Sequence, residues 1–175
     1  DEVIVPEITW IATASAVTYV NANPVFADID PETWCIDPIS IQNSITSKTK
    51  AIMPVHLYGH PADMEKIYDI ATEHDLLIFE DAAQSIGTTF NNKKTGSFGN
   101  ASAFSFQGAK ILSTGEGGMF LTDDTELYDK VSKSGDHGRS LTKSLWNDEI
   151  GFKYKMSNLQ AAMGLAQLER IEELI

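Results

Sequence analysis

Residues 51–81, AIMPVHLYGHPADMEKIYDIATEHDLLIFED, decide the fold. AIMPVHL (51–57) reads as an apolar strand. In ADMEKIYDIATEH the apolar residues Met64, Ile67, Tyr68, Ile70 and Ala71 recur at helical spacing. LLIFED (76–81) is again a short apolar run, ending in the acidic pair Glu80–Asp81. Strand, helix and buried strand in this order form a βαβ unit, which demands a parallel sheet.

The same alternation extends toward the N-terminus. VIV (3–5) predicts a strand, ATASAVTYV a helical crossover, PVFADI (24–29) a second strand, and residues 38–45 a helix. Past residue 87 the pattern changes. FNNKKTGSFGN is rich in turn formers, SAFSF and GGMFLT read as two further strands, and TELYDKVSKS predicts a helix capped by Asp124 or Thr125. SNLQAAMGLAQLERIEELI predicts one longer helix, capped by Ser157 or Asn158, with Leu159, Ala162, Met163, Ala166, Leu168 and Ile171 near one face. The expectation is an α/β domain with a mainly parallel sheet flanked by helices.

The 175 residues suffice for one domain with a core. Thirteen Lys and Arg against 25 Asp and Glu give a formal charge of −12, which repels nucleic-acid phosphate and anionic membranes. Lys93–Lys94 and Lys153–Tyr154–Lys155 are too short to track a nucleic-acid backbone, so neither nucleic acid nor membrane is expected as a partner. Cys35 has no second cysteine to pair with, which fits a reducing compartment, and the cytoplasm is expected. His56, His60, His74 and His137 show no metal-ligand spacing, so no metal is expected. The chain starts within a strand pattern and stops within a helical one, and is expected to be a piece of a longer protein.

Ligands of open parallel sheets gather beyond the carboxyl ends of the strands. Glu80 and Asp81 fall at such an end, where they act either as a solvated strand end, as a helix cap, or as a functional pair facing a cation. Lys110 follows SAFSF and precedes GEGG, at the same end of the sheet. A lysine there is a surface charge unless a ligand claims it. The glycines come after it, which is the wrong order for a nucleotide-phosphate loop. A lysine amine and a carboxylate at one sheet edge suit pyridoxal phosphate, which takes a lysine on its aldehyde and an aspartate beside its pyridine nitrogen.

EDAAQSIG, GSFGNASAFSFQGAKILSTGEGGMFLTDD and GFKYKMSNLQAAMGLAQLE resemble, in order and spacing, the DegT/DnrJ/EryC1/StrS family of sugar-nucleotide aminotransferases. Residues 1–38 are similar to the same family, so the resemblance covers nearly the whole chain. It implies the fold type I, aspartate aminotransferase-like large domain, an α/β/α sandwich that binds pyridoxal phosphate, here over residues 1–175. An upstream glycine-threonine loop and a C-terminal small domain lie outside the chain on this resemblance.

The resemblance also implies roles. Lys110 of FSFQGAK is the catalytic Schiff-base residue, Asp81 partners the pyridine nitrogen, Gln84 lies near the ring hydroxyl, Ser105 bonds the phosphate, and Trp10 stacks on the cofactor face. Taken singly, Trp10 reads equally as core, Ser105 as a polar strand residue and Gln84 as a cap. GFKYKMSN is similar to a loop that reaches the cofactor phosphate of the neighbouring subunit, commonly GYNYRMSN. It carries Lys153 and Lys155 where asparagine and arginine are usual, and a lysine neutralises phosphate without arginine's bidentate fork. His56 of PVHLYG is expected beside the active site or as a structural histidine.

The implied activity moves an amino group from an amino acid, glutamate foremost, to a keto sugar nucleotide in the sugar biosynthesis of cell-surface polysaccharides or secondary metabolites, by a homodimer. Relatives that dehydrate sugars carry histidine at the lysine position, so Lys110 favours transamination. The stretch HGRSLTKSLWNDEIGFKYKMSN (137–158) further resembles members that aminate GDP-4-keto-6-deoxymannose. The alternatives are a non-catalytic regulatory or interaction protein that retains the fold, and another fold type I enzyme such as a desulfurase or decarboxylase.

Overall fold

The computed structural model describes residues 1–140 and 142–175. Eight strands and six helices follow the chain as β1 (Glu2–Pro6), α1 (Ala12–Tyr19), β2 (Asn23–Ala27), α2 (Pro38–Ser44), β3 (Thr49–Ile52), α3 (Met64–Glu73), β4 (Leu77–Asp81), β5 (Thr89–Phe90), β6 (Lys93–Lys94), β7 (Ala101–Ser105), β8 (Gly118–Leu121), α4 (Thr125–Gly135), α5 (Asn158–Leu168) and α6 (Ile171–Leu174). Six strands form one sheet in the order β2-β1-β3-β4-β7-β8. Every pair is parallel up to β4–β7, and β8 closes the edge antiparallel to β7. The β7–β8 link has no helix to carry the chain back along the sheet, so β8 must return antiparallel.

Successive residues of a strand face opposite sides, and β1 feeds two cores in this way. Ile4 joins Ile36, Ile41, Ile52, Met64, Ile67 and Ile78 on the face covered by α2 and α3. Val5 joins Ala14 and Val17 of α1 on the other face. Helices therefore flank the sheet on both sides, as the α/β pattern predicts. Asp37 caps α2 by accepting from the amides of Ile39 and Ser40, Asp124 caps α4, and Ser157 forms a reciprocal capping box with Gln160 on α5.

Three elements differ from expectation. The strand predicted over 51–57 keeps ladder pairing only to Ile52, because Pro54 has no N–H to donate. Val55 still bridges Asp81, and a short 3-10 turn follows at Leu57–Gly59. The turn-rich segment after residue 87 holds a hairpin, β5–β6, whose two-residue loop Asn91–Asn92 has φ of 48° and 63°, the pattern of a type I′ turn. The long helix predicted from residue 157 breaks at Arg170 (φ −123°), which pairs with Glu173 across the new turn.

Chain order turns around between β1 and β3. From β1 the chain runs outward to β2 under α1, then crosses back over the other face to β3. The loops leaving the carboxyl ends of β1 and β3 thus diverge to opposite faces, and the crevice between them is the place such sheets offer a ligand.

Candidate active site

Asp81 is the last residue of β4 and lies beside Ala103 of β7 in the parallel register, two residues before Ser105 ends that strand. Its backbone is pinned on both sides, donating to the Pro54 carbonyl (2.9 Å) and accepting from the His56 amide (3.1 Å). Its carboxylate is also held twice. Oδ1 accepts the Ala83 amide at 3.1 Å, and Oδ2 accepts the hydroxyl proton of Thr13 at 2.7 Å. An ionised carboxylate has about four lone-pair sites, so acceptor capacity remains for a further donor.

Trp10 stands just before α1 and is 75% exposed, so it serves no core. Its carbonyl accepts the Thr13 amide at 3.3 Å, which joins Trp10 to the residue that grips Asp81.

Gln84 is positioned through its own oxygen. Oε1 accepts the Tyr58 amide at 2.9 Å, and since a backbone N–H only donates, the carboxamide NH2 is the group left free. Tyr58 is held at φ 51°, ψ 26°, a left-handed conformation that costs a bulky residue energy, and its ring is 82% exposed.

Lys110 sits midway along a loop that leaves β7 and returns to it. Phe106 closes that loop, donating to Gly117 O and accepting from the Thr114 amide, both at 2.8 Å. Within it, the Lys110 amide donates to Gln107 O (2.9 Å) and Ser105 Oγ accepts the Gln107 amide (3.3 Å). Gln167 of α5 clamps the far side, accepting from Ser113 N at 2.9 Å and donating to Ser113 O at 2.6 Å. The Lys110 ammonium, half-buried, has no ion pair or side-chain hydrogen bond among the described residues. Gly117 has φ 151°, and a Cβ there would come within 2.6 Å of Thr114 Oγ1, so this turn admits only glycine.

Glu80 and Asp81 take opposite faces of β4 and separate jobs. Glu80 is 2% exposed and His56 0%. His56 Nδ1 accepts the Ala62 amide (3.1 Å), so its proton is on Nε2, which donates to Glu80 Oε2 at 3.0 Å. The amides of Gly96, Phe98 and Gly99 complete the Glu80 shell at 2.7, 2.6 and 2.8 Å. Burial opposes ionisation of Glu80, but the His56 hydrogen bond and the Gly99 and Gly96 amides outweigh it and hold its carboxyl below the usual range. Both ring nitrogens of His56 are thus engaged by the protein, Nδ1 by the Ala62 amide and Nε2 by Glu80, while its backbone amide donates to Asp81 O.

Lys153 and Lys155 are engaged within their own loop. Lys153 Nζ donates to Lys155 O at 2.5 Å, and Lys155 Nζ pairs with Asp136 Oδ2 at 3.2 Å, which lowers that carboxyl's pKa. The loop does reach the Lys110 turn by another residue, since Met156 Cε lies 3.2 Å from where a Gly117 Cβ would stand. A cleft of about 300 Å³ lined by Tyr68, Leu76, Phe98 and Asn100 lies toward the amino end of β4, away from Asp81.

The sequence alone did not single out Thr13, Tyr58 or Gln167. Their partners are 68, 26 and 54 residues away, and no local pattern announces such contacts.

The model of the DegT/DnrJ/EryC1/StrS aminotransferase family matches residues 1–175. GDP-perosamine synthase of Caulobacter vibrioides is 50% identical over 173 residues, covering 99% of this chain and 47% of that protein. The X-ray structure of the aminotransferase from Psychrobacter cryohalolentis superposes with a TM-score of 0.94 at 40% identity, over 99% of this chain and 47% of that one. A putative sugar aminotransferase of Streptococcus pneumoniae in its PLP form superposes with a TM-score of 0.92 at 30% identity, over 99% of this chain and 49% of that one. The chain spans about half the length of the curated relatives it matches.

Proposed function

Because this chain belongs to the DegT/DnrJ/EryC1/StrS aminotransferase family, we propose that it forms the cofactor-binding half of an enzyme that moves an amino group from an amino acid, glutamate foremost, to a keto sugar nucleotide. The observation that carries this is the pair at the sheet edge. A doubly held carboxylate, Asp81, ends β4, and Lys110, whose ammonium has no side-chain partner among the described residues, rides the loop that leaves the adjacent strand β7. Pyridoxal phosphate takes such a pair, a lysine on its aldehyde and a carboxylate beside its ring nitrogen.

The donor set fits pyridoxal phosphate. Asp81 retains acceptor capacity for a protonated ring nitrogen, Trp10 offers an exposed flat face, Gln84 presents an NH2 donor, and Ser105 stands at the mouth of the loop with a hydroxyl for phosphate. When bound, the cofactor supplies an electron sink for the pair left as a proton departs the donor's Cα. Asp81 keeps the ring nitrogen protonated through a charge-assisted hydrogen bond. Lys110 would hold the cofactor by its aldehyde between turnovers and, once freed, would take the proton from the donor's Cα in the first half-reaction and deliver one to the acceptor carbon in the second. Trp10 covers one ring face and excludes water there.

GDP-4-keto-6-deoxymannose is the acceptor we favour, on the 50% identity to a GDP-perosamine synthase. We place the enzyme in the cytoplasm as a homodimer, the 151–158 loop with Lys153 and Lys155 meeting the neighbouring subunit's phosphate site. No helix among the described residues is long and apolar enough to cross a membrane. The presence of both Lys110 and Asp81 at family spacing disfavours the non-catalytic alternative. The test is an assay of the intact gene product with glutamate and a panel of keto sugar nucleotides. Amination of the GDP-linked sugar, abolished by Lys110→Ala, is expected; transfer retained by Lys110→Ala refutes the assignment.

A further inference from the structure

We infer that Thr13 is a positioning residue for Asp81, fixing the orientation of the carboxylate that a protonated ring nitrogen needs; this rests on the cofactor role proposed for Asp81. Thr13 is 3% exposed, yet it sits in the first turn of α1 with its hydroxyl aimed away from the helix and into the sheet edge. A threonine in a helix more commonly returns its hydroxyl to a carbonyl of the preceding turn, as Thr18 and Thr72 do here, bonding Ser15 O and Tyr68 O at 2.8 Å each. Thr13 instead donates its one hydroxyl proton across the sheet to Asp81 Oδ2, 68 residues away.

With Oδ2 held by Thr13 and Oδ1 by the Ala83 amide, the carboxylate plane is set by donors on two separate segments and cannot swing freely. In addition, the amide of Thr13 donates to Trp10 O, so the backbone that carries Trp10 is tied to the residue that holds the carboxylate.

The experiment compares two ligands on the intact, cofactor-free gene product by calorimetry: pyridoxal phosphate, and its analogue with the ring nitrogen replaced by CH. Wild type is expected to prefer pyridoxal phosphate. Thr13→Val, close in shape but with no hydroxyl, is expected to weaken pyridoxal phosphate by about tenfold or more, the scale of one hydrogen bond to a charged group. It should leave the analogue's affinity unchanged, and Thr13→Ser should restore most of the preference. Equal weakening of both ligands by Thr13→Val means a merely structural hydroxyl and overturns the proposal. If Asp81→Asn abolishes the preference while Thr13→Val leaves it intact, the role of Asp81 stands and that of Thr13 falls. Equal binding of both ligands by wild type removes the Asp81 role itself, and the inference with it.

Discussion

Glu80 is a buried anion fully satisfied by one imidazole and three amides, and removing its charge exposes how much the fold leans on it. A glutamine there presents an NH2 toward backbone donors that need an acceptor, so Glu80→Gln is expected to destabilise by about 3 kcal/mol, measured by denaturant unfolding at neutral pH. The pH dependence has a definite sign. The folded-state pKa of Glu80 is lowered, so its contribution is fully present above the ordinary carboxylate range and is lost as pH falls through the folded value. Wild-type stability should therefore drop more steeply than that of Glu80→Gln below about pH 4.3, the unfolded reference; parallel curves would refute the clasp. Tyr58 gives the opposite test. Glycine accepts its left-handed backbone without steric cost, so Tyr58→Gly is expected to stabilise the protein by up to about 1 kcal/mol in thermal unfolding. The placement of Asp81 at the end of β4 and of Lys110 in the loop after the adjacent strand β7 was legible in the sequence, because contiguous motifs carry both residues. Thr13 was not, since ATASA reads as an ordinary small-residue helix and its hydroxyl acquires meaning only when β4 arrives beside it.

The loop that carries Lys110 depends on α5 for its shape. Gln167 substitutes for a strand neighbour by satisfying both the N–H and the C=O of Ser113, and Gln160 Nε2 reaches Glu116 O at 2.7 Å. Gln167→Ala should cost about 1 kcal/mol of stability and speed amide exchange at Ser113 well above that of the β4 amides, as seen by native-state hydrogen exchange. Unchanged exchange at Ser113 would show that the loop holds itself. The βαβ units were legible from periodicity because β1, β3 and β4 are buried strands separated by helices with clear apolar faces. The shortening of β3 was signalled by Pro54, whose effect the apolar run 51–57 masks. The β5–β6 hairpin escaped because two residues per strand leave no alternation to detect, and only Asn91–Asn92 marks its turn. The break in the last helix has no breaker residue to announce it.

Across the whole molecule, apolar exposure is concentrated late in the chain. Leu159, Met163, Leu165 and Leu168 of α5 are exposed, as are Leu145, Trp146, Ile150 and Phe152 before it. Of the apolar face predicted for this helix, Leu159, Met163 and Leu168 stand exposed, while the side facing the Lys110 loop carries Gln160, Gly164 and Gln167. The proposed homodimer would use that surface, so Ile150→Glu or Leu159→Glu should shift the intact gene product from dimer to monomer in sedimentation velocity. A wild-type monomer at micromolar concentration would contradict the assembly. The most direct check on the central claim is covalent. The intact gene product, loaded with pyridoxal phosphate, is reduced with borohydride and mapped by peptide mass spectrometry. A single pyridoxyl adduct on Lys110, absent when Asp81→Ala abolishes tight binding, is the predicted result; label scattered over other lysines, or none on Lys110, would contradict it.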